Sequence, residues 1–126
     1  MKLGEIFQSI EAWRKLSSIN MKPKLAYKVL KYTQLISDEH AIAEKQRVAL
    51  FREVTKTKDG EDTKIEPGTP EFTKFVTGFN EIMSQESSLE KIDLELGTII
   101  EALDGKDDAL SVADLAVLEP FFTSEN

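Results

Sequence analysis

From Pro23 to about Lys56 the chain runs without a Gly or a Pro, through a stretch rich in Ala, Leu, Lys, Glu, Gln and Arg. Those residues lose little on entering a helix. The stretch therefore predicts one helix over 23–56, about 50 Å long at about 1.5 Å per residue. Pro23 suits its first turn, where a missing N–H removes no helical hydrogen bond. Leu25, Val29, Tyr32, Ile36, Ala43, Leu50 and Val54 fall on one face at the three-four spacing, and Leu35, Ile42 and Ala49 form a parallel seven-residue row. A helix with so broad an apolar stripe is not stable alone in water. Whatever else the chain does, it must cover that stripe.

Two further segments supply the cover. Over 3–18, Ile6, Phe7, Ile10, Trp13 and Leu16 recur at steps of three or four and predict a first helix, ended by Ser17, Ser18 and Asn20. A third helix is predicted over 70–86, with Thr69 as its N-cap, Pro70 in its first turn and Glu71 near its positive end. It puts Phe72, Phe75, Val76, Phe79, Ile82 and Met83 on one face, which reads as a core face. Both connections to the long helix are short. The first helix is thus expected on its proximal half and the third, in an antiparallel hairpin, on its distal half.

The connection over 57–69 carries the turn pairs Asp59-Gly60 and Pro67-Gly68 and admits a short β-hairpin, with Thr55 to Lys58 facing Thr63 to Glu66. Residues 89–102 alternate apolar and polar at Leu89, Ile92, Leu94 and Leu96, which suits a short extended segment or an irregular helical turn. Asp104 to Asp108 read as a loop. Ser111 with Asp114 is a capping signature for a last helix over 112–119, closed by Pro120, with Phe121 and Phe122 anchoring the end. The expected fold is mainly α, a long-helix hairpin or small helical bundle, in one domain over 1–126. Its length suits one core.

Chemistry is sparse. The absence of Cys excludes disulfides, thiolate metal sites and a cysteine nucleophile. His40 stands alone as a histidine, so a metal or catalytic role would lack a second soft ligand, and it reads as a partly exposed helix residue. Asp104, Asp107 and Asp108 lack the ligand spacing and terminal glutamate of a calcium loop, and Asp59, Glu61 and Asp62 read likewise as a solvated cluster. No phosphate-binding glycine loop, nucleophile elbow or dinucleotide fingerprint occurs. The expectation is no catalytic residue, no metal site and no cofactor.

Charge is more informative than its total of −7. Residues 1–88 hold 14 Lys and Arg against 13 Asp and Glu, whereas residues 89–126 hold 2 against 10. Lys24, Lys28 and Lys31 share one face at the start of the long helix, with Lys22 adjoining. That face could meet a phosphate backbone, but it lacks arginine and interleaved aromatics, so a solvated face, or one paired with Asp104 to Asp108 or Glu119, is the better reading. No segment has the roughly 18 consecutive apolar residues of a membrane span, and Glu5 and Glu11 interrupt what a signal peptide would need apolar. A cytoplasmic protein is expected.

The order of features has a counterpart. PKLAYKVLKYTQLI opens the long helix, a polar Asp-Gly turn and a Phe-rich return helix follow, then LELGTII, and SVADLAVLEPFF closes. This pattern, from about Pro23 to Phe122, resembles a family of small helical proteins of tailed bacteriophages and prophages. The resemblance implies a viral protein with helical-hairpin topology and no enzyme activity, acting in the cytoplasm of an infected bacterium or in the virion. The leading expectation is a non-enzymatic protein acting by protein–protein contact, with a phage structural protein, a host protein or a second copy of itself. One alternative is an inhibitor or modulator of a host defence factor or nuclease, through an acidic surface at Asp104, Asp107 and Asp108. Another is a nucleic-acid-binding accessory protein using Lys24, Lys28 and Lys31.

Overall fold

A computed structural model describes residues 1–55, 65–106 and 108–123. The order is α1 (Leu3–Ser17), α2 (Pro23–Thr55), α3 (Pro70–Met83), β1 (Ile92–Glu95), α4 (Leu96–Ala102), α5 (Val112–Leu118), a 3₁₀ turn (Glu119–Phe121) and β2 (Phe122–Thr123). The fold is mainly helical, with a small two-stranded sheet. Among the described residues, no helix is long and apolar enough to cross a membrane.

The α2 helix is the spine, and α1 and α3 lie along it one after the other. Trp13 packs on Tyr32 and Phe7 stacks on His40, so α1 runs antiparallel over the proximal half of α2. Phe75 meets Phe51 edge-on and Gln85 donates to Gln46 at 3.1 Å, so α3 runs antiparallel over the distal half. The two covering helices abut end to end, with Phe7 against Phe79 and Gly4 against Met83. A Cβ on Gly4 would lie 3.0 Å from the Met83 carbonyl oxygen, so a side chain here would press on the end of α3.

That junction also ends α3 early. The expected helix over 70–86 stops at Met83, because the next residues turn to pair with the N-terminal segment. Leu3 N–H donates to the Gln85 carbonyl at 2.9 Å, Ser87 N–H donates to the Met1 carbonyl at 2.7 Å, and Lys2 and Glu86 form an antiparallel bridge. Backbone groups that would have continued the helix are thus satisfied across elements. The start of α3 is as expected: Phe72 N–H donates to Thr69 Oγ1 at 3.2 Å, one residue before Pro70 opens the first turn.

Residues 89–102 divide in two. Ile92–Glu95 is extended and Leu96–Ala102 is helical. The strand pairs in parallel with Phe122–Thr123, Ile92 opposite Phe122 and Glu95 opposite Thr123. The expected β-hairpin over 57–69 falls largely on residues 56–64, outside the described residues, as do Asp59, Glu61 and Asp62. Its described members are not strand, since Thr55 is the last residue of α2 and Ile65 and Glu66 are irregular.

The core lies at the proximal end. Trp13, Ile6, Leu16, Val29, Ile36, Ile99, Leu118 and Phe121 are all fully buried or nearly so. Trp13 touches Tyr32, Phe121 and Phe122 at ring-centroid distances of 5.1, 5.7 and 5.6 Å. Tyr32 Oη donates to the Glu90 carbonyl at 2.6 Å and fastens the segment before β1 to α2, and burial pushes its phenol up to about 12. Along α2, Val29, Tyr32, Ile36 and Ala43 of the expected stripe are buried. The second row is not: Leu35 and Ile42 are half exposed and Ala49 is exposed, because α1 packs on the main stripe, with Trp13 on Tyr32, and leaves this neighbouring row in contact with solvent.

The last helix carries the expected capping box. Ser111 N–H donates to Asp114 Oδ2 at 2.9 Å and Asp114 N–H donates to Ser111 Oγ at 3.0 Å. Lys15 Nζ of α1 adds a 3.1 Å ion pair to the same carboxylate. These donors, the Ser111 amide first and then Lys15, hold Asp114 below the usual aspartate range.

Two outcomes follow from this packing. Gly4→Val should lower unfolding free energy by about 1–3 kcal/mol in urea titration, since the added carbons overpack a helix junction closed by backbone. For Asp114 the depressed folded-state value means that its contribution is complete above the ordinary aspartate value, near 3.9, and is lost as pH falls through the lower folded one. Asp114→Asn should therefore flatten the stability-versus-pH curve in that acid window and nowhere above pH 5.

Candidate functional site

Two surfaces carry features that packing does not explain. The first is a cleft of about 830 Å³ between the start of α2 and α4. Its exposed rim is Lys22, Lys24, Lys28 and Lys106, and its half-buried apolar floor includes Met21, Leu25, Leu94 and Ala102. Lys22 and Lys24 flank Pro23, and Lys28 stands one helical turn beyond Lys24. Lys106 arrives from the other side of the chain. The turn after α4 uses Gly105 at φ +80°, a backbone angle that disfavours other residues, and brings the Lys106 amide to the Leu103 carbonyl at 2.9 Å.

Among the described residues no ion pair within 4.0 Å involves any of these four lysines. Lys28 Nζ donates to the Asp93 carbonyl and Lys106 Nζ to the Ala102 carbonyl, each at a long 3.4 Å. Among the described residues Glu101 is the one carboxylate on the lining.

The expected group Lys24, Lys28 and Lys31 is therefore divided. Lys24 and Lys28 line the cleft, while Lys31 lies over the exposed Tyr27 ring, 5.5 Å from its centroid. The expected pairing of this group with Asp104 to Asp108 or Glu119 is absent among the described residues. The N-terminal and C-terminal charges meet instead through Lys15 and Asp114, on the opposite side of α5's cap. Asp108, in a left-handed conformation, lines a smaller hollow with Lys15 and Asp114. Asp104 is exposed on the turn after α4 and lines neither cleft, and Asp107 is outside the described residues.

Lys106 was missed at sequence level, although a signal existed. It is one of only two basic residues after Leu89, so its position in an acidic segment was anomalous. The apolar floor from Leu94 could not be found that way, because it exists only once β1 and α4 lie beside α2.

The second surface is the partly covered apolar face of α3 in the α2–α3 hairpin. The six-residue face of α3 was expected to be core, but only Ile82 is buried. Phe72 and Val76 are exposed and Phe75, Phe79 and Met83 are half-buried. Phe51, Phe75, Phe79, Phe7 and His40 form a continuous ring ladder with centroid spacings of 4.8–6.0 Å. The physical reason is a shortage of cover: the start of α1 meets the end of α3, so α1 does not reach the distal hairpin, which has two layers where the proximal end has three. His40 is thereby accounted for as a stacking partner of Phe7.

On α2, Arg47 donates to Glu44 in a bidentate pair that pulls the carboxyl down and the guanidinium up. Among the described residues no group of three or more His, Asp or Glu converges closely enough to hold a metal ion.

If the rim lysines serve binding rather than folding, their removal should cost no stability. Lys22→Ser with Lys24→Ser should leave the urea midpoint unchanged to within about 0.5 kcal/mol, the usual span for exposed positions. A larger loss would mean that the lysines hold the α2 start in place. No protein-family model, curated protein or solved structure matches this chain, so the two surfaces are interpreted from their own geometry.

Proposed function

We propose that this chain is a non-enzymatic binding protein that acts by protein–protein contact, through the open aromatic face of the α2–α3 hairpin. The observation that carries this reading is the exposure of Phe72 and Val76 beside the half-buried Phe75 and Phe79. Aromatic side chains offer a large apolar area at a small entropic cost and are the usual anchors of an interface core. A contiguous apolar face on a helix that could have faced inward is the kind of surface that a partner covers. The half-exposed row Leu35 and Ile42 on α2 extends the same character along the spine.

The resemblance to tailed-phage proteins supports placing that contact in an infected bacterium, in virion assembly or as an accessory factor. The alternative of an acidic surface aimed at a host protein gains less support. Asp108 shares its hollow with Lys15, and Asp114 is already bound by Lys15 and the Ser111 amide.

Photo-crosslinking tests this reading. A crosslinking amino acid at Val76 should yield a discrete adduct in cells producing the protein, and one at exposed Glu101 should not give the same product. Phe72→Asp should abolish the adduct while leaving the far-UV circular dichroism unchanged. An adduct-free Val76 position, together with a monomer by light scattering at millimolar concentration, would overturn the proposal.

A further inference from the structure

The lysine-rimmed cleft has a chemistry of its own, independent of the aromatic face. We infer that it binds a short extended peptide segment in which acidic residues alternate with aliphatic ones, presented by a protein partner.

Charge comes first. Among the described residues, four ammonium groups that join no ion pair rim one cleft in a protein whose net charge is −7, and Glu101 is the one carboxylate on its lining. Such a local reversal of sign focuses an attractive field on anions. The ligand is therefore anionic.

The floor comes second. Met21, Leu25 and Leu94 are half-buried and remain partly in contact with solvent when the cleft is empty. An inorganic anion would leave that surface wet, whereas a ligand carrying aliphatic groups would cover it and gain the hydrophobic contribution. At about 830 Å³ the cleft falls in the range of ligand-holding pockets, about 300–1,000 Å³.

The third step separates a peptide from a nucleic acid. Among the described residues no aromatic ring lines the cleft to give a platform on which a base could stack, and no arginine there offers the bidentate fork that suits phosphate. Lysines act as point charges on flexible stems and suit carboxylates at varied angles. Lys24 and Lys28 are about 6 Å apart along the helix axis at 1.5 Å rise per residue. In an extended peptide, alternate residues are about 6.7 Å apart. Carboxylates at positions i and i+2 can therefore meet both lysines, and aliphatic residues between them face the floor. Glu101 and the Thr98 hydroxyl stand ready to accept the N–H groups of the peptide.

Fluorescence anisotropy on the full chain tests this. The probe is a labelled eight-residue peptide of alternating glutamate and leucine. Its comparators are the same peptide with glutamine for glutamate, an eight-residue polyglutamate, and an eight-nucleotide oligothymidylate. The expected result is saturable binding of the probe, weaker by about tenfold or more for each comparator and at 300 mM relative to 50 mM salt. Lys24→Glu with Lys106→Glu should abolish it, Lys106→Ser should weaken it, and Phe72→Asp should leave it unchanged, which separates this site from the α2–α3 face. Circular dichroism and Trp13 emission confirm that each variant is folded. Equal binding of polyglutamate, tighter binding of the oligonucleotide, indifference to the lysine substitutions, or no binding at millimolar peptide would each overturn the inference.

Discussion

The packing of Trp13 against Tyr32, Phe121 and Phe122 joins three parts of the chain that are far apart in sequence. Trp13 comes from α1, Tyr32 from α2 and the two phenylalanines from the end of the described chain, and all four are buried. Burial of large aromatic side chains is among the strongest local contributions to a small core. Phe122 is also in β2, whose pairing with β1 holds the start of α4, and α4 forms one wall of the lysine cleft. Remove the cluster and neither the N-terminal cover of α2 nor that wall has a fixed position. Among the described residues the Trp13 indole N–H lacks a hydrogen-bond partner, a desolvation cost that the surrounding ring contacts must outweigh.

Cover is distributed unevenly along α2, and the two surfaces are consequences of that distribution. At the proximal end α1, the 85–93 segment and the chain end enclose the stripe, and the core closes. At the distal end α3 alone lies on α2, and one helix cannot bury its own apolar face and its partner's on both sides. Local opening is expected to start in the less buried part, since fewer apolar contacts are lost there. A face that is cheap to expose and rich in aromatic rings is suited to docking, which connects the energetics of the hairpin to its proposed role.

Much of the helical layout was legible because it depends on local chemistry. The Pro23 start, the Thr69 cap, the Ser111–Asp114 box and the three-four spacing in α1 are all set by neighbours within a turn. Where sequence reading overreached, the deciding contact was distant. Met83 ends α3 because the N-terminal segment pairs with the next residues, taking the Gln85 carbonyl and the Ser87 amide, and no residue between 84 and 86 announces it. Leu35, Ile42 and Ala49 are spaced like a buried row, yet periodicity states only that they share a face and not that any element reaches it. The candidate site was half legible. Lys24 and Lys28 were visible within the group that also held Lys31, and Met21 and Leu25 adjoin them, while Lys106, Leu94 and Ala102 belong to a segment some 70 residues away in sequence.

The sequence by itself determined that α2 must be long and must be covered, that α1 and α3 would provide the cover, and that positive charge would gather at its start. Each of these depends on propensity, spacing or composition, which are properties of short segments. Only the tertiary structure decided how complete the cover is and what faces the lysines. It left Phe72 and Val76 about a third exposed and Leu35 and Ile42 half exposed, and it brought Lys106 to the cleft that Lys24 lines. The physical reason is that an apolar face records a demand for burial, whereas its fulfilment depends on how many other elements the chain can bring to that place.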